Sequence, residues 1–548
     1  MHPSFRLFLT SEVHPRLPPS LLRASEVLVV EAPSGVRANV LRFLRGIPKE
    51  RITKRPVERS RLYVLLAWLQ AVVQERLRYV PLGWSKRYEF SEADAACALQ
   101  AIDSWVEKAA HGAQHISPEK VPWEALRALL GQSVYGGRVD SPFDQQLLES
   151  FVCSLFQPTS FDLNFPLCSV HESSTGQASP LVTLPDATSP VAFMKWANNL
   201  PPSNPPTWLG LAPNAEAALL ASRGEQLLSS WQLIQDDGGW AEATPSMSMT
   251  GDEGGAGGKE ARLDHLAQRA QSWLSALPKS VEAGGGGGAV DPRDEDGDAL
   301  HRCLCREVAT GSALLSKIRS DLAAVQMLCR GETKATNEVR SLLAALMKDA
   351  VPPSWTKGLV MATMGAGRWI DDLVKRLRHL EGLTTGGGRT GPDATPYWLG
   401  GLFNPDAFVT ATRQHVASAL SCSLEELRLS LVVGSKSEEG SSSMAFPIMG
   451  LVLEGAGWSN GDNTLTFSRD HRIALTLCQL CWTVRADEGE GAAESRSNAS
   501  AAGVSVPVYL NGARSELIVT VDLPIPLEVP AVVWRQRGVA LLAWSPAV

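Results

Sequence analysis

The sequence predicts a multidomain α+β protein with a partial α/β core, a helical region and a C-terminal antiparallel β-barrel. Its 548 residues exceed what one hydrophobic core usually organises, and they suggest three or four units. Apolar residues recur at helical spacing through most of residues 58–397, whereas they alternate at strand spacing from residue 427 onward. The change falls in residues 398–433, which we call the pivot, so helices are expected before it and strands after it.

Two short apolar runs near the N-terminus predict buried strands. FRLFLT covers Phe5–Thr10, and EVLVVE covers Glu26–Glu31 after a Pro-rich segment. So little sequence precedes them that residues 1–57 look like the second half of an α/β domain. Because a fold rarely begins at that point, the sequence favours a fragment whose preceding part supplied the other strands and helices.

The next region, residues 58–152, is predicted to be a helical domain. Apolar residues at helical spacing indicate one amphipathic helix over Glu58–Arg78. Start signals place a second helix at Ser91, a third near Pro122 and a fourth at Pro142. This domain therefore consists of four helices in our interpretation.

A connector rich in Pro and Ser, residues 153–206, leads to a second helical region, residues 207–397. Glycine-rich inserts interrupt this region. Such segments bury too little apolar surface to offset the entropy lost on ordering the backbone, so they are expected to be mobile. The helices predicted around the inserts are Glu260–Leu277, Leu300–Leu328, Asn337–Met347 and Arg368–Leu380.

The pivot helix and the predicted barrel make up residues 398–548. Asn404 can cap a helix, Pro405 suits its first position, and a helix over Pro405–Leu420 is expected. Ser423 and Glu426 have capping-box spacing before the first strand. Regular turn signals beyond them predict eight strands in a small closed barrel or sandwich. The strands are Leu427–Val433, Phe446–Leu453, Thr464–Phe467, Ile473–Val484, Val504–Leu510, Leu517–Val521 and two near Val532 and Val539.

One face of the pivot helix is a candidate docking surface for a neighbouring module. Its members are Phe408, Ala411, His415 and Ala419, with Arg413 and Gln414 available for polar contacts at its edge. The alternative is that this face only closes the core of its own domain, and the sequence favours neither interpretation.

Composition and motifs point away from several kinds of chemistry. The net charge of −7 is spread along the sequence, which argues against nucleic-acid binding. The longest apolar run, Tyr63–Val73, is too short to span a membrane. Nine scattered cysteines suggest thiols in a reducing, cytosolic compartment rather than a disulfide framework.

No catalytic, cofactor or metal site is predicted. The string of a phosphate-binding P-loop, with its Gly-Lys-Ser/Thr, does not occur, so we expect no nucleotide hydrolysis by this segment alone. PRDEDG at residues 292–297 lacks the carboxylates that a calcium loop needs at its first and last positions. Cys478 and Cys481 have CxxC spacing, but they lie in one strand-like run without a second pair, which favours core thiols.

Several phrases resemble dynein heavy chains. They are FRLFLT, LLRA, ERLRYVPLGWSKRYEF, SVYGGRVDSPFDQQLL, TWLGLAPNAE, LGGLFNPDAFVTATRQ and PVYLN, and the form GWSKRYEF looks more like cytoplasmic than axonemal heavy chains. The resemblance covers nearly all of the sequence except the glycine-rich and acidic inserts. The sequence departs from the family's LLRAGR phrase, because Ser25 and Glu26 follow Ala24 here.

The resemblance implies part of the sixth AAA+ module of a motor ring, its helical lid and the dynein C-terminal domain. Thr10 would then occupy a sensor-like position at a strand end. ATP and Mg²⁺ would belong to the parent motor and not to this segment, which is expected to be non-catalytic. The implied partners are upstream AAA+ modules of the same polypeptide, dynein complex subunits and microtubules, in the cytoplasm and on the cytoskeleton.

A rival hypothesis is a free-standing scaffold or binding module, with helices and a β-barrel, that is unrelated to motors. The truncated α/β start argues against it. An enzyme would need a convergent polar pocket, which the sequence does not indicate.

Overall fold

The computed structural model describes residues 5–11, 14, 17–29, 31–168, 181–224, 227–228, 231, 256–280, 298–334, 336–357, 365–385, 395–434, 443–484 and 503–543. The glycine runs at 284–288 and 386–388 and the PRDEDG string lie outside the described residues.

Ten α-helices lie in residues 19–276 of the part of the sequence that the structure describes. They are α1 (Pro19–Ala24), α2 (Val36–Gly46), α3 (Lys49–Ile52), α4 (Arg59–Arg76), α5 (Glu92–Ala110), α6 (Trp123–Ala128), α7 (Pro142–Leu155), α8 (Pro190–Asn199), α9 (residues 215–224) and α10 (Ala256–Ala276). The predicted starts at Ser91, Pro122 and Pro142 are confirmed, and the capping box joins Ser91 to Asp94. The predicted connector contains a helix, α8, that its composition did not indicate.

The helical domain, residues 36–215, is built around α4. Apolar residues cover this helix on nearly every side, so it is buried almost throughout rather than along one stripe. Helices α2, α5 and α7 pack against it, and its Trp68 lies 5.9 Å from the ring of Trp208 near the domain's end. The core of the domain therefore lies on α4.

The two predicted N-terminal strands do not form in this structure. Residues 5–11 and 26–29 have no regular structure, and their side chains are exposed, with Phe8 87% and Leu28 83% accessible. An extended apolar run becomes a strand only when another strand pairs with its N–H and C=O groups. Among the described residues, no strand pairs with either run.

The C-terminal domain, residues 256–543, combines α10 with further helices and a sheet. Its other helices are α11 (Ala299–Cys329), α12 (Asn337–Met347), α13 (Pro353–Thr356), α14 (Ala366–Thr385), α15 (Pro405–Leu420) and α16 (Ala531–Gln536). The predicted helices around the inserts and the pivot helix are confirmed, the latter with its predicted bounds. The Asn404 amide does not cap the pivot helix, so that part of the prediction is wrong.

Eleven strands follow α14 in the part of the sequence that the structure describes. They are β1 (Tyr397–Trp398), β2 (Leu427–Val433), β3 (Ser443–Met449), β4 (Leu451–Glu454), β5 (Gly457–Ser459), β6 (Thr464–Thr466), β7 (Arg472–Leu475), β8 (Cys478–Val484), β9 (Gly503–Tyr509), β10 (Leu517–Pro524) and β11 (Ala540–Leu542). Gly450, at φ 78°, separates β3 from β4 where one strand was predicted. The strand predicted near Val532 is wrong, because α16 occupies that position.

A closed antiparallel barrel is not shown. Nine strands form a sheet of order β1-β3-β8-β2-β10-β9-β11-β4-β7, whose two ends do not pair with each other in the described residues, and β5 pairs with β6 separately. The pairs β1–β3, β2–β10 and β9–β11 are parallel, so the sheet is mixed. One continuous core joins side chains of the sheet to those of α10, α11, α14 and α15. The fold is therefore helices packed on a large mixed sheet.

Candidate functional site: the junction of the helical and C-terminal domains

The predicted docking face lies largely inside the C-terminal domain. Phe408 and Ala411 belong to its core, and the Phe408 ring is 4.6 Å from that of Tyr397. His415 Nδ1 is 2.7 Å from Asp298 Oδ2, whereas Gln414 and Ala419 are exposed. These positions agree with the alternative that the face closes its own core. Contact of Gln414 with a neighbouring module stays a prediction.

The other candidate residues show no reactive arrangement. Arg413 Nε donates to Leu424 O at 2.9 Å, just after the C-terminal end of the pivot helix. Thr10 is exposed in a segment without regular structure. Cys478 and Cys481 are buried in β8, and burial raises the pKa of Cys478 to about 12, which suits a core thiol rather than a metal ligand. Among the residues that the structure describes, no group of His, Cys, Asp and Glu is arranged to hold a metal ion.

The start of the pivot helix is fixed by a buried carboxylate on α11. Glu307 accepts hydrogen bonds from the backbone N–H of Phe403 at 2.6 Å and from that of Asn404 at 2.9 Å. The NH₂ group of the Asn404 side chain donates to it as well, at 3.0 Å, and so turns this side chain toward Glu307. Burial raises the pKa of Glu307, while these donors and Arg376 work in the opposite direction. Glu307 therefore anchors α15 to α11.

Glycines in the pivot allow close backbone packing. A Cβ on Gly400 would lie 1.7 Å from Ala543 O, and one on Gly401 would lie 2.2 Å from the Trp398 ring. The Trp398 backbone N–H donates to His379 Nε2 at 2.9 Å. Burial lowers the pKa of His379 to about 4, so its ring is the neutral acceptor that this bond requires.

A polar cluster on the helical domain forms one side of the junction. Asp144, at the start of α7, accepts from the backbone N–H of Ser85 at 3.0 Å, from the Ser85 hydroxyl at 2.5 Å and from the Tyr88 hydroxyl at 2.7 Å. Trp84 is buried beside them and donates its indole N–H to Val73 O at 3.1 Å. The phrases GWSKRYEF and SPFDQQLL thus fold against each other through Asp144.

Arg76, the last residue of α4, crosses the junction. Its Nε donates to Gly83 O at 2.9 Å, and its Nη1 donates to Gln536 O of the C-terminal domain at 3.1 Å and also to Leu209 O. The guanidinium lies 5.2 Å from the centre of the Phe151 ring and 5.7 Å from that of Trp84. Full burial lowers the pKa of Arg76 to about 9, although Asp144 works against this.

The C-terminal domain contributes a second buried cation. Arg514 donates from Nη2 to Glu454 Oε2 and to Gly538 O, both at 2.7 Å, and Arg472 Nε donates to the other Glu454 oxygen at 3.1 Å. Burial acts to raise the pKa of Glu454, but the two arginines outweigh it and hold the pKa below its ordinary value. Gly538, at φ 68°, would place a Cβ 2.4 Å from Leu82 O across the junction.

A cleft of about 50 Å³ lies between these two sides. Its lining includes Leu82 and Asp144 from the helical domain and Arg514, Trp534 and Gly538 from the C-terminal domain. The volume is enough for water but not for an organic substrate. Asp144, which lines the cleft, already accepts hydrogen bonds from Ser85 and Tyr88, so this side of the cleft holds the helical domain together.

Sequence reasoning missed Arg76, Gln536 and Gly538. The signal that could have drawn attention to Arg76 is a charged residue at the end of a helix that is apolar on nearly every side. Its partners could not be found in this way, because Leu209 and Gln536 are 133 and 460 residues away.

Two family descriptions match the two domains. The AAA lid domain of dynein heavy chains matches residues 59–215, and the C-terminal domain of dynein heavy chains matches residues 227–543, which is more than half of the sequence. The protein belongs to the dynein heavy chain family. The resemblance of the quoted phrases is thereby confirmed, and the free-standing scaffold is not favoured.

Curated relatives agree with this assignment. The protein is similar to "Dynein heavy chain, cytoplasmic" of Drosophila melanogaster, with 40% identity over 99% of its own length, and to the protein of that name in Dictyostelium discoideum, with 39% identity over 99%. It is 38% identical to the Caenorhabditis elegans protein over 99% of its length. It spans 11% of the length of each of these dynein heavy chains. The junction thus joins a dynein lid to a dynein C-terminal domain.

Proposed function

We propose that this protein acts as the non-catalytic C-terminal part of a cytoplasmic dynein heavy chain, in an ATP-driven motor that moves toward microtubule minus ends. The lid would complete the AAA+ ring, and the C-terminal domain would modulate motor mechanics. ATP and Mg²⁺ would bind in upstream modules. The observation that carries the proposal is the junction, in which Arg76 fastens the lid helix α4 to the last helix of the C-terminal domain.

A mechanical role follows from this connection. A contact that differs in free energy between two arrangements of a ring shifts their populations without taking part in the chemistry. The C-terminal domain can supply such a contact because buried hydrogen bonds hold it on the lid, so a lid rotation would displace it. Its exposed residues, Gln414 among them, would then meet neighbouring AAA+ modules differently in each arrangement.

The exposed N-terminal runs support the assignment to a ring module. Phe5–Thr10 and residues 26–29 expose large apolar side chains of a kind that soluble domains normally cover. We infer that they are strands of an AAA+ core when upstream parts of the heavy chain pair with them. In the cell this would place the protein in the cytoplasm, on microtubules and with other dynein complex subunits. No helix of the described residues is long and apolar enough to cross a membrane.

Removing the pivot and the sheet of the C-terminal domain from a complete motor tests the proposal. A heavy chain that ends with this segment is compared with a version truncated before Trp398, and ATP turnover, velocity and stall force are measured. We expect basal turnover to stay within about twofold while stall force or stepping changes, because a population shift alters mechanics more than chemistry. Unchanged turnover, velocity and force together would refute the regulatory role.

A titration of the isolated 548-residue protein with ATP and ADP tests the catalytic part of the proposal separately. We expect no stoichiometric heat, because the loop that would hold the phosphates does not occur. Stoichiometric binding that is lost on substitution of Thr10 would contradict it.

A further inference from the structure

We propose that Arg76 is a latch that makes the lid and the C-terminal domain move as one body. This inference extends the proposed function by naming the residue that transmits lid motion. It can fail while the motor role holds, because its test uses the 548-residue protein without the rest of the motor. Three features of the contact carry it: the charge, the acceptors and the shape.

The charge makes the contact difficult to open partially. Arg76 is fully buried, and its acceptors are carbonyl oxygens rather than a carboxylate. Among the described residues, its Nη2 has no hydrogen-bond partner. A buried guanidinium that loses another acceptor must be hydrated or left unpaired, and both are costly. The closed junction and a fully opened, hydrated one are therefore the two stable arrangements, with little between them.

The acceptors come from three separate parts of the sequence. Gly83 lies in the loop after α4, Leu209 lies where the lid ends, and Gln536 is the final residue of α16. The last carbonyls of a helix have no intrahelical partner, so Gln536 O is available to an outside donor. The Arg76 guanidinium thus holds the lid helix, the passage between the domains and the last helix of the C-terminal domain.

The backbones meet at two glycines, one from each domain. Gly210, at φ 73°, would place a Cβ 2.9 Å from Gln536 Cβ, and Gly538 would place one 2.4 Å from Leu82 O. Each glycine lies within two residues of a carbonyl that Arg76 binds. Gln536 Nε2 also donates to Ser150 Oγ of α7 at 3.4 Å. Such close approach leaves no space for the two domains to slide, so the contact is either made or broken.

Hydrogen exchange of the intact protein tests the latch. In Arg76→Lys we expect the amides of α16 to exchange about 10- to 100-fold faster, the effect of losing one or two charge-assisted hydrogen bonds. A matched control is Arg61→Lys, since Arg61 is buried in the same helix but donates to Asp186 Oδ1 at 2.9 Å and Asp162 O at 3.0 Å, within the lid. Faster α16 exchange in Arg76→Lys alone supports the latch. No acceleration, or equal acceleration in both variants, overturns it.

A second variant keeps the test decisive if the Arg76 variant does not fold. Gly538→Ala wedges the junction open without removing a charge, and Gly434→Ala is its control. Gly434 is in the same domain with φ 99° and has open space where a Cβ would be, so it carries the backbone strain without the clash. We expect Gly538→Ala to accelerate exchange in α16 and around Leu209 at least about tenfold more than Gly434→Ala. Equal effects of the two substitutions would overturn the proposal.

Discussion

Replacing Glu307 by Gln should weaken the C-terminal domain without changing its shape. The carboxylate, 1% exposed, accepts three hydrogen bonds, two of them from backbone N–H groups at the start of α15. Gln keeps one acceptor oxygen, but its NH₂ group would face an N–H group of Phe403 or Asn404, which is itself a donor. The change removes at least one charge-assisted bond, worth roughly 1.5–3 kcal/mol, and leaves a buried N–H unpaired. We therefore expect a loss of about 2–4 kcal/mol in the free energy of unfolding of this domain.

Urea denaturation combined with hydrogen exchange of residues 402–420 measures this loss. Glu338→Gln is a suitable control, because Glu338 is an exposed carboxylate on α12 of the same domain, and it should change stability by less than about 0.5 kcal/mol. In Glu307→Gln, amide exchange should accelerate more at the start of α15 than in α12. If Glu307→Gln cost no more than the control, the anchoring of the pivot helix by α11 would be refuted.

Three further substitutions test the same domain. Gly400→Ala should cost about 1–3 kcal/mol or more in denaturation, because the new Cβ would lie 1.7 Å from Ala543 O, whereas Gly382→Ala, with open space on α14, should be neutral or stabilising. His379 has a pKa lowered to about 4 by burial, so its contribution to stability is complete above the unfolded pKa of about 6.5 and is lost as pH falls toward 4. His379→Gln should flatten stability in that window, and an unchanged profile would contradict the buried neutral ring. Burial acts to raise the pKa of Glu454, but its two arginines lower it below the unfolded value. The contribution of Glu454 to stability is therefore complete above the unfolded pKa of about 4.3 and is lost as the pH falls below it. Glu454→Gln should remove that acid-induced loss when unfolding is followed from about pH 5 downward.

Local signals were enough to predict most of the helices. Ser91 with Asp94, and Pro405 with Asp406, are start signals that act within one turn, so neighbouring residues contain the information. The bounds of α15 agree with the prediction for this reason. Asn404 shows the limit of local reasoning. It occupies the N-cap position, but its side-chain oxygen accepts no capping bond, and its NH₂ group donates to Glu307, a carboxylate far along the sequence.

The sheet could not be predicted because its pairing is long-range. β11 lies between β9 and β4, and β10 lies parallel to β2, so neither strand pairs only with its sequence neighbours. Turn signals count strands but do not decide whether the first and last ones meet. The segment before β11 contains β-branched Val532 and Val533, yet it forms α16, which packs on α7 of the lid. Tertiary packing outweighed local propensity there.

Two of the phrases that resemble the family, GWSKRYEF and LGGLF, lie where buried backbone groups meet a specific side chain or a glycine. In GWSKRYEF, Trp84 donates to Val73 O and Ser85 donates to Asp144. In LGGLF, Gly400 admits the Ala543 carbonyl. Each of these positions is restricted by a hydrogen bond or by a lack of space. Residues used in this way hold domains at fixed positions, and this is what the proposed function requires of a segment that transmits movement generated elsewhere.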